Sequence, residues 1–213
     1  MDNILSIDSF IPKFITKESS IRRKLYIEDE KRKTEEDSYG EVNTDFLRTQ
    51  KMEFVINLAN ESDLQRIEEL IHRTNQLNAT GCIYSYEEIK NFLHSNNYLV
   101  YIAELKDKFG SFGKIGVCLI EKSTEIWTLK LFLMSCRVIT RGVGNVLLYY
   151  VISEAKKQAK KLYCEFNHTS KNRLMYITLK LSGFQEHEKA NNLLIHSLEE
   201  HLKIPEYIKL IIQ

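Results

Sequence analysis

The sequence predicts an α/β (α+β) domain, a mixed and mostly antiparallel sheet flanked by helices and preceded by a helical arm. Three observations lead there. From Met52 onward the apolar pattern switches between alternating and helical periods in the order β-α-α-β-β-β-α-β-α-β. Three consecutive strands are joined by short turns, which forces them antiparallel, whereas the strand–helix–strand unit after them should be parallel. Residues 1–50 differ from the rest: basic Arg22, Arg23, Lys24, Lys31, Arg32 and Lys33 alternate in blocks with acidic residues. That stretch reads as a helical arm or linker, a solvated helix with a thin apolar stripe of Ile21, Leu25 and Tyr26. Residues 51–213 read as the folded domain.

Each element has a local reason. MEFVINLA (52–59) is rich in β-branched and aromatic residues and reads as a strand. Asn60 or Ser62 caps a helix with Leu64, Ile67, Leu70 and Ile71 at helical spacing. Ser85 opens the next helix, with Glu88 as its capping-box partner. YLVYIAEL (98–105), KIGVCLIEK (114–122) and IWTLKLFLM (126–134) are strands; KDKFGSFG reads as a glycine-rich turn and Ser123-Thr124 as a tight one. Val143, Val146, Leu147, Tyr150 and Val151 mark an amphipathic helix. A strand at 161–167, a helix from Ser170 to Ser182, a last strand NNLLIHSL and a short apolar C-terminal helix after Pro205 complete the reading.

Composition excludes several functions. Lys plus Arg number 30 and Asp plus Glu 29, a net charge of +1, which lacks the basic excess of a nucleic-acid binder. No run approaches the roughly 18 apolar residues of a membrane helix. MDNILSIDSF has no basic n-region, so no export signal is read, and Cys82, Cys118, Cys136 and Cys164 are expected as reduced thiols in a cytoplasmic protein. No His or Cys pair has metal-ligand spacing, so no metal is expected.

The chemistry-bearing stretch is Phe132 to Leu148, where a strand runs into Arg141-Gly142-Val143-Gly144 and a helix begins. Glycines let a backbone approach a ligand closely, and a helix N-terminus offers free N–H groups and a positive dipole end, a ready pyrophosphate site. Turn glycines alone would leave the same pattern.

This run resembles the pyrophosphate loop of the GNAT N-acyltransferase superfamily, R/Q-x-x-G-x-G/A, with Ile139 where that family has Arg or Gln. A second GNAT signature, an Asn opening a helix, a Tyr seven residues on and a closing Gly-Phe, is similar to Asn172, Leu179 and Gly183-Phe184, with Leu in place of the Tyr. A narrower resemblance, to the GNAT-like C-terminal half of FkbH-like proteins, rests on RTNQLNATGCIYS, DKFGSFGKIGV, MSCRVITRGV and HTSKN, with TKESSIRRKLY and DFLRTQKM resembling the segment that joins that family's halves. The HAD-type half of those proteins carries Asp-x-Asp, which occurs nowhere in this chain, so its phosphatase and glyceryl-loading chemistry is not carried over.

The resemblance implies a GNAT fold and acyl transfer from acetyl-CoA, another acyl-CoA or a carrier-bound phosphopantetheine. The acceptor is a small molecule or is carrier-bound, in specialised biosynthesis of the polyketide or nonribosomal kind. An acyl carrier protein is an expected partner; nucleic acid and membrane are not. The pantetheine arm would run along Phe132, Leu133 and Met134, with a backbone N–H there as oxyanion donor. Arg141, Gly142, Val143, Gly144, Asn145 and Asn172 would hold the rest of the cofactor. Thr74, Asn75, Gln76 and Asn78 form an amide-rich cluster where GNAT proteins contact acceptors, though amides there also cap helices and form turns. Arg137, His168 and Lys171 are further substrate-side candidates. Glu165 is the candidate base, Cys136 a candidate acyl-accepting thiol, and Tyr176, one turn before Leu179, the nearest phenol. Loss of the loop Arg/Gln and of the Tyr equally fits a domain that no longer catalyses and binds a carrier protein or partner.

Overall fold

A computed structural model describes residues 22–40, 44–188, 190–199 and 203–213. Ile21 and the start of the TKESSIRRKLY segment lie outside the described residues. The sheet has eight strands in the order β6-β7-β5-β4-β3-β2-β1-β8. They are β1 (Met52–Leu58), β2 (Tyr98–Asp107), β3 (Gly110–Lys122), β4 (Ile126–Met134), β5 (Lys161–Glu165), β6 (Phe184–His187), β7 (Ala190–His196) and β8 (Ile208–Ile212). The helices are α1 (Arg22–Tyr39), α2 (Thr44–Thr49), α3 (Leu64–Arg73), α4 (Tyr86–His94), α5 (Val146–Lys157) and α6 (Arg173–Leu181). β1 to β4 are antiparallel in sequence, β4 and β5 are parallel, and β7 pairs antiparallel with both β5 and β6. The predicted mixed sheet is therefore present.

Strand alternation sorts the core onto two faces. Val100, Ile102, Val117, Leu119, Leu131 and Leu133 pack beneath Leu64, Ile67, Leu70 and Ile71 of α3 and Ile89 of α4. Tyr101, Ala103, Cys118, Ile120, Phe132 and Met134 point the other way, onto α5 and α6. Trp127 is 2% exposed and belongs to this second core. Ser85 caps α4 in a reciprocal box with Glu88, as the sequence predicts.

Four features differ from expectation. The apolar C-terminal helix is β8, which pairs parallel with the open edge of β1; β-branched Ile208, Ile211 and Ile212 suit a strand with an edge to fill. The KDKFGSFG turn shrinks to Lys108-Phe109, because Asp107 Oδ1 accepts from the N–H groups of Phe109 and Gly110 and folds the chain at once. β6 forms from Phe184–His187, which carries no alternation long enough to read. The strand before the glycine loop ends at Met134, and a 3₁₀ turn, Cys136–Arg141, intervenes before α5 begins at Val146.

The arm is seated by charge rather than by its stripe. Leu25 is buried, but Tyr26 is 64% exposed. Arg32, 2% exposed, grips Asp107 through Nε at 2.7 Å and Nη2 at 2.9 Å, bonds Asp29 at 2.8 Å and lies 3.8 Å over the Phe112 ring. Burial opposes the Arg32 charge, yet the Asp107 and Asp29 carboxylates outweigh it and hold its pKa above the ordinary value. Glu35 reaches Lys108, and Glu36 reaches Arg141 at 2.8 Å.

Candidate functional site

β4 carries a bulge: Leu119 pairs with Leu131 and Ile120 with Leu129, so Lys130 is left over. A bulge bends its strand and adds twist. β5 follows β4 only to Leu129, opposite Cys164. Beyond that point the parallel strands part, and the segment Leu77–Ala79 lies between them. Ala79 N–H donates to Phe132 O at 3.0 Å, Met134 N–H donates to Leu77 O at 2.9 Å, and Asn167 N–H donates to Ala79 O at 3.1 Å.

The chain then turns at Gly142, whose φ of 67° is left-handed, and enters α5. The N–H groups of Val143, Gly144 and Asn145 have no hydrogen-bond partner among the described residues. A side chain at Gly144 would meet nothing within 4 Å, whereas one at Gly142 would strike the Tyr207 hydroxyl. The loop therefore offers N–H groups beside open space.

Among solved structures, the chain is similar to an acetyltransferase of the GNAT family from Staphylococcus aureus Mu50, with a TM-score of 0.53, 15% identity, and 68% of this chain and 99% of that one covered. It is similar also to a domain from Methanocaldococcus jannaschii DSM 2661, with a TM-score of 0.53, 16% identity, and 68% and 96% covered. The fold is that of the GNAT acetyltransferases. No protein-family model and no curated protein sequence matches the chain.

On this GNAT frame a cavity of about 780 Å³ opens beside the end of β4. Its walls are Leu25, Tyr26 and Asp29 of α1, Arg66, Glu69 and Arg73 of α3, and the following Thr74, Asn75 and Gln76. Ser135, Cys136, Arg137, Ser170 and Lys171 complete the lining. Of the residues proposed from sequence, the cavity thus gathers Thr74, Asn75, Gln76, Cys136, Arg137 and Lys171. Cys136 is exposed, while Cys118 and Cys164 are buried with their thiol pKa values pushed up by desolvation and do not face it. Arg137 donates to Phe112 O at 2.7 Å. Burial, then the nearby Arg66, pulls its pKa below the ordinary value.

Other predicted residues are placed elsewhere. The outward-facing backbone groups of Phe132 and Met134 are taken by Ala79 and Leu77, and Leu133 is paired with Val117. Asn78 is buried, its Oδ1 accepting from the Thr80 and Gly81 N–H groups, so it shapes a turn rather than facing a substrate. Asn172, 1% exposed, is a clamp rather than a cofactor contact. Its Nδ2 donates to the carbonyls of Asn167, Asn78 and Ala79, and its Oδ1 accepts from Thr169 N–H. Arg141 is buried against Glu36 and the Phe46 ring, away from solvent. Glu165 is ion-paired with Lys130 and does not line the cavity, which counts against a free base there. Tyr176 donates to Glu186; that bond first, then burial, raises its pKa and makes it a weaker acid. His168 packs against Phe166 and Tyr176 outside the cavity. Leu179 is fully buried, a core residue where the family resemblance has its Tyr.

Sequence reasoning missed Arg66, Arg73 and the Leu77–Ala79 insertion. The arginines sit seven residues apart on one helix face, a readable spacing. LNA has no strand signature.

Proposed function

We propose that the chain is an acyltransferase of GNAT fold. The donor is an acyl-CoA or a carrier-bound phosphopantetheine, and the acceptor is a small molecule or a carrier-bound group seated in the cavity; the FkbH-like resemblance supports a setting in specialised biosynthesis. The observation that carries this reading is the glycine turn with the unpartnered N–H groups of Val143, Gly144 and Asn145 at the start of α5, beside the parted strands β4 and β5. Unpartnered N–H groups at a helix N-terminus suit a pyrophosphate. The reaction forms a bond from an acceptor nucleophile to the acyl carbon and breaks the C–S bond, leaving a thiolate that takes a proton.

The test is calorimetric titration with acetyl-CoA against Gly144→Glu. Gly144 has open space and no left-handed φ, so a glutamate folds there while its carboxylate repels the phosphates. Wild-type binding that the variant loses by roughly a hundredfold is expected from one repulsive charge plus steric exclusion of a buried anion contact. Equal binding, or none in either protein, defeats the CoA reading.

One observation favours a second reading, a GNAT-fold domain that binds a carrier protein or partner without catalysis. Phe132 O and Met134 N–H are already bonded to Ala79 and Leu77. Acetyl-CoA binding without thiol release, whatever acceptor is offered, would select it.

A further inference from the structure

The cavity at the end of β4 has an unbalanced lining. Arg66, Arg73, Arg137 and Lys171 face Asp29 and Glu69, a formal excess of two positive charges among the described residues. The two acids are already engaged. Glu69 bonds Arg66 at 2.8 Å and Arg73 at 2.6 Å, and Asp29 bonds Arg32 at 2.8 Å. Arg137 makes one bond, to a neutral backbone carbonyl, and neither Arg137 nor Lys171 has a carboxylate within ion-pair distance among the described residues. Arg137 is part-buried and feels Asp29 only beyond ion-pair distance, and a buried guanidinium without a paired counter-charge is costly. Thr74 and Ser135 also line the cavity, as do Asn75 and Gln76, which can bond the uncharged part of a ligand.

We propose that this cavity binds a small molecule through a compact dianionic oxygen group, a phosphate monoester or a dicarboxylate, gripped by Arg137 and Lys171. The planar fork of Arg137 supplies paired N–H donors and Lys171 a mobile point charge. Two negative charges neutralise the excess that the protein leaves. As the acceptor of acyl transfer, this ligand rests on the reading above; as a binding site it stands without it, since neither CoA nor the glycine loop takes part.

Cys136 adjoins Arg137 and is exposed in the cavity, so it reports occupancy. The experiment follows carbamidomethylation of Cys136 by the neutral reagent iodoacetamide, read by peptide mass, while the full chain is titrated with inorganic phosphate, with malonate, and with sodium chloride at matched ionic strength. Slowed labelling with phosphate, malonate or both, and not with chloride, is expected, and the anion that protects names the source. Arg137→Gln should weaken the protecting anion roughly tenfold or more, the loss expected of a charge-assisted pair. Because Arg137 also braces Phe112 O, Lys171→Ala serves as the second variant. Its side chain is exposed and makes no hydrogen bond or ion pair among the described residues, and the substitution should weaken protection several-fold with unchanged thermal unfolding. Unchanged labelling with both anions up to tens of millimolar, equal protection by chloride, or full protection retained in both variants overturns the site. Acetyl-CoA binding that persists in Arg137→Gln and Lys171→Ala separates failure here from failure of the acyl-transfer reading.

Discussion

Among residues, burial decides which phenols stay neutral. Tyr84 is pushed up to about 12 by desolvation first and then by the negative potential of Cys82 and Glu165, and Tyr101 is raised further by burial and Tyr150. The sign follows from linkage. A raised folded pKa means that above pH 10 the unfolded chain releases a proton the folded chain keeps, so stability is full below 10 and falls as pH rises towards 12. Alkaline difference absorbance should show Tyr84 ionising late, with the unfolding midpoint dropping across that window. Ionisation of Tyr84 near the ordinary tyrosine value of 10 would remove that account. Glu186 runs the other way: bonds from Lys180 and then Tyr176 hold it down to about 2, and solvent exposure makes its contribution small.

Among elements, α1 has its most deeply buried attachment in one ion pair. Arg32 and Asp107 are both nearly inaccessible, and Asp107 also folds the β2–β3 turn. Arg32→Ala leaves that carboxylate buried and unpaired, an expected loss of about 3–5 kcal/mol. Chemical denaturation should register it, and amide exchange over Arg22–Tyr39 should rise before the rest of the chain. A loss below about 1 kcal/mol would mean that the pair is solvated, as surface pairs are. The same contrast shows what the sequence made legible. Strands and helices from Met52 to Leu181 are readable because Val100, Val117 and Leu131 alternate with Tyr101, Cys118 and Phe132, and because Leu64, Ile67 and Ile71 recur at helical spacing. Arg32 reads as one more solvated charge until Asp107, 75 residues away, folds onto it. β8 was illegible for a related reason. IKLII suits helix or strand, and only the open edge of β1 decides. At the site, the glycine loop was readable from local chemistry, whereas the bulge at Lys130 and the seating of Leu77–Ala79 against β4 depend on long-range pairing that no local pattern announces.

For the whole molecule, the sheet consists of two leaves, β8-β1-β2-β3-β4 and β5-β7-β6. Four residue pairs, Ile126–Leu129 with Lys161–Cys164, stitch them directly. Leu77–Ala79 adds a second seam, closed by backbone hydrogen bonds to Phe132, Met134 and Asn167 and braced by the amide of Asn172. A donor arm that uses Phe132 O and Met134 N–H must open that seam, so its apparent affinity is the intrinsic affinity scaled by the fraction of molecules already unlatched. Under the acyl-transfer reading, Asn172→Ala should cost about 1–3 kcal/mol of stability through lost buried hydrogen bonds, yet tighten acetyl-CoA binding. Titration and thermal unfolding of the same variant check it, and weakening of both would assign Asn172 to plain scaffolding. Under that reading the molecule gives up some readiness for resting order: the clasp that keeps the two leaves together is also the threshold a donor has to cross.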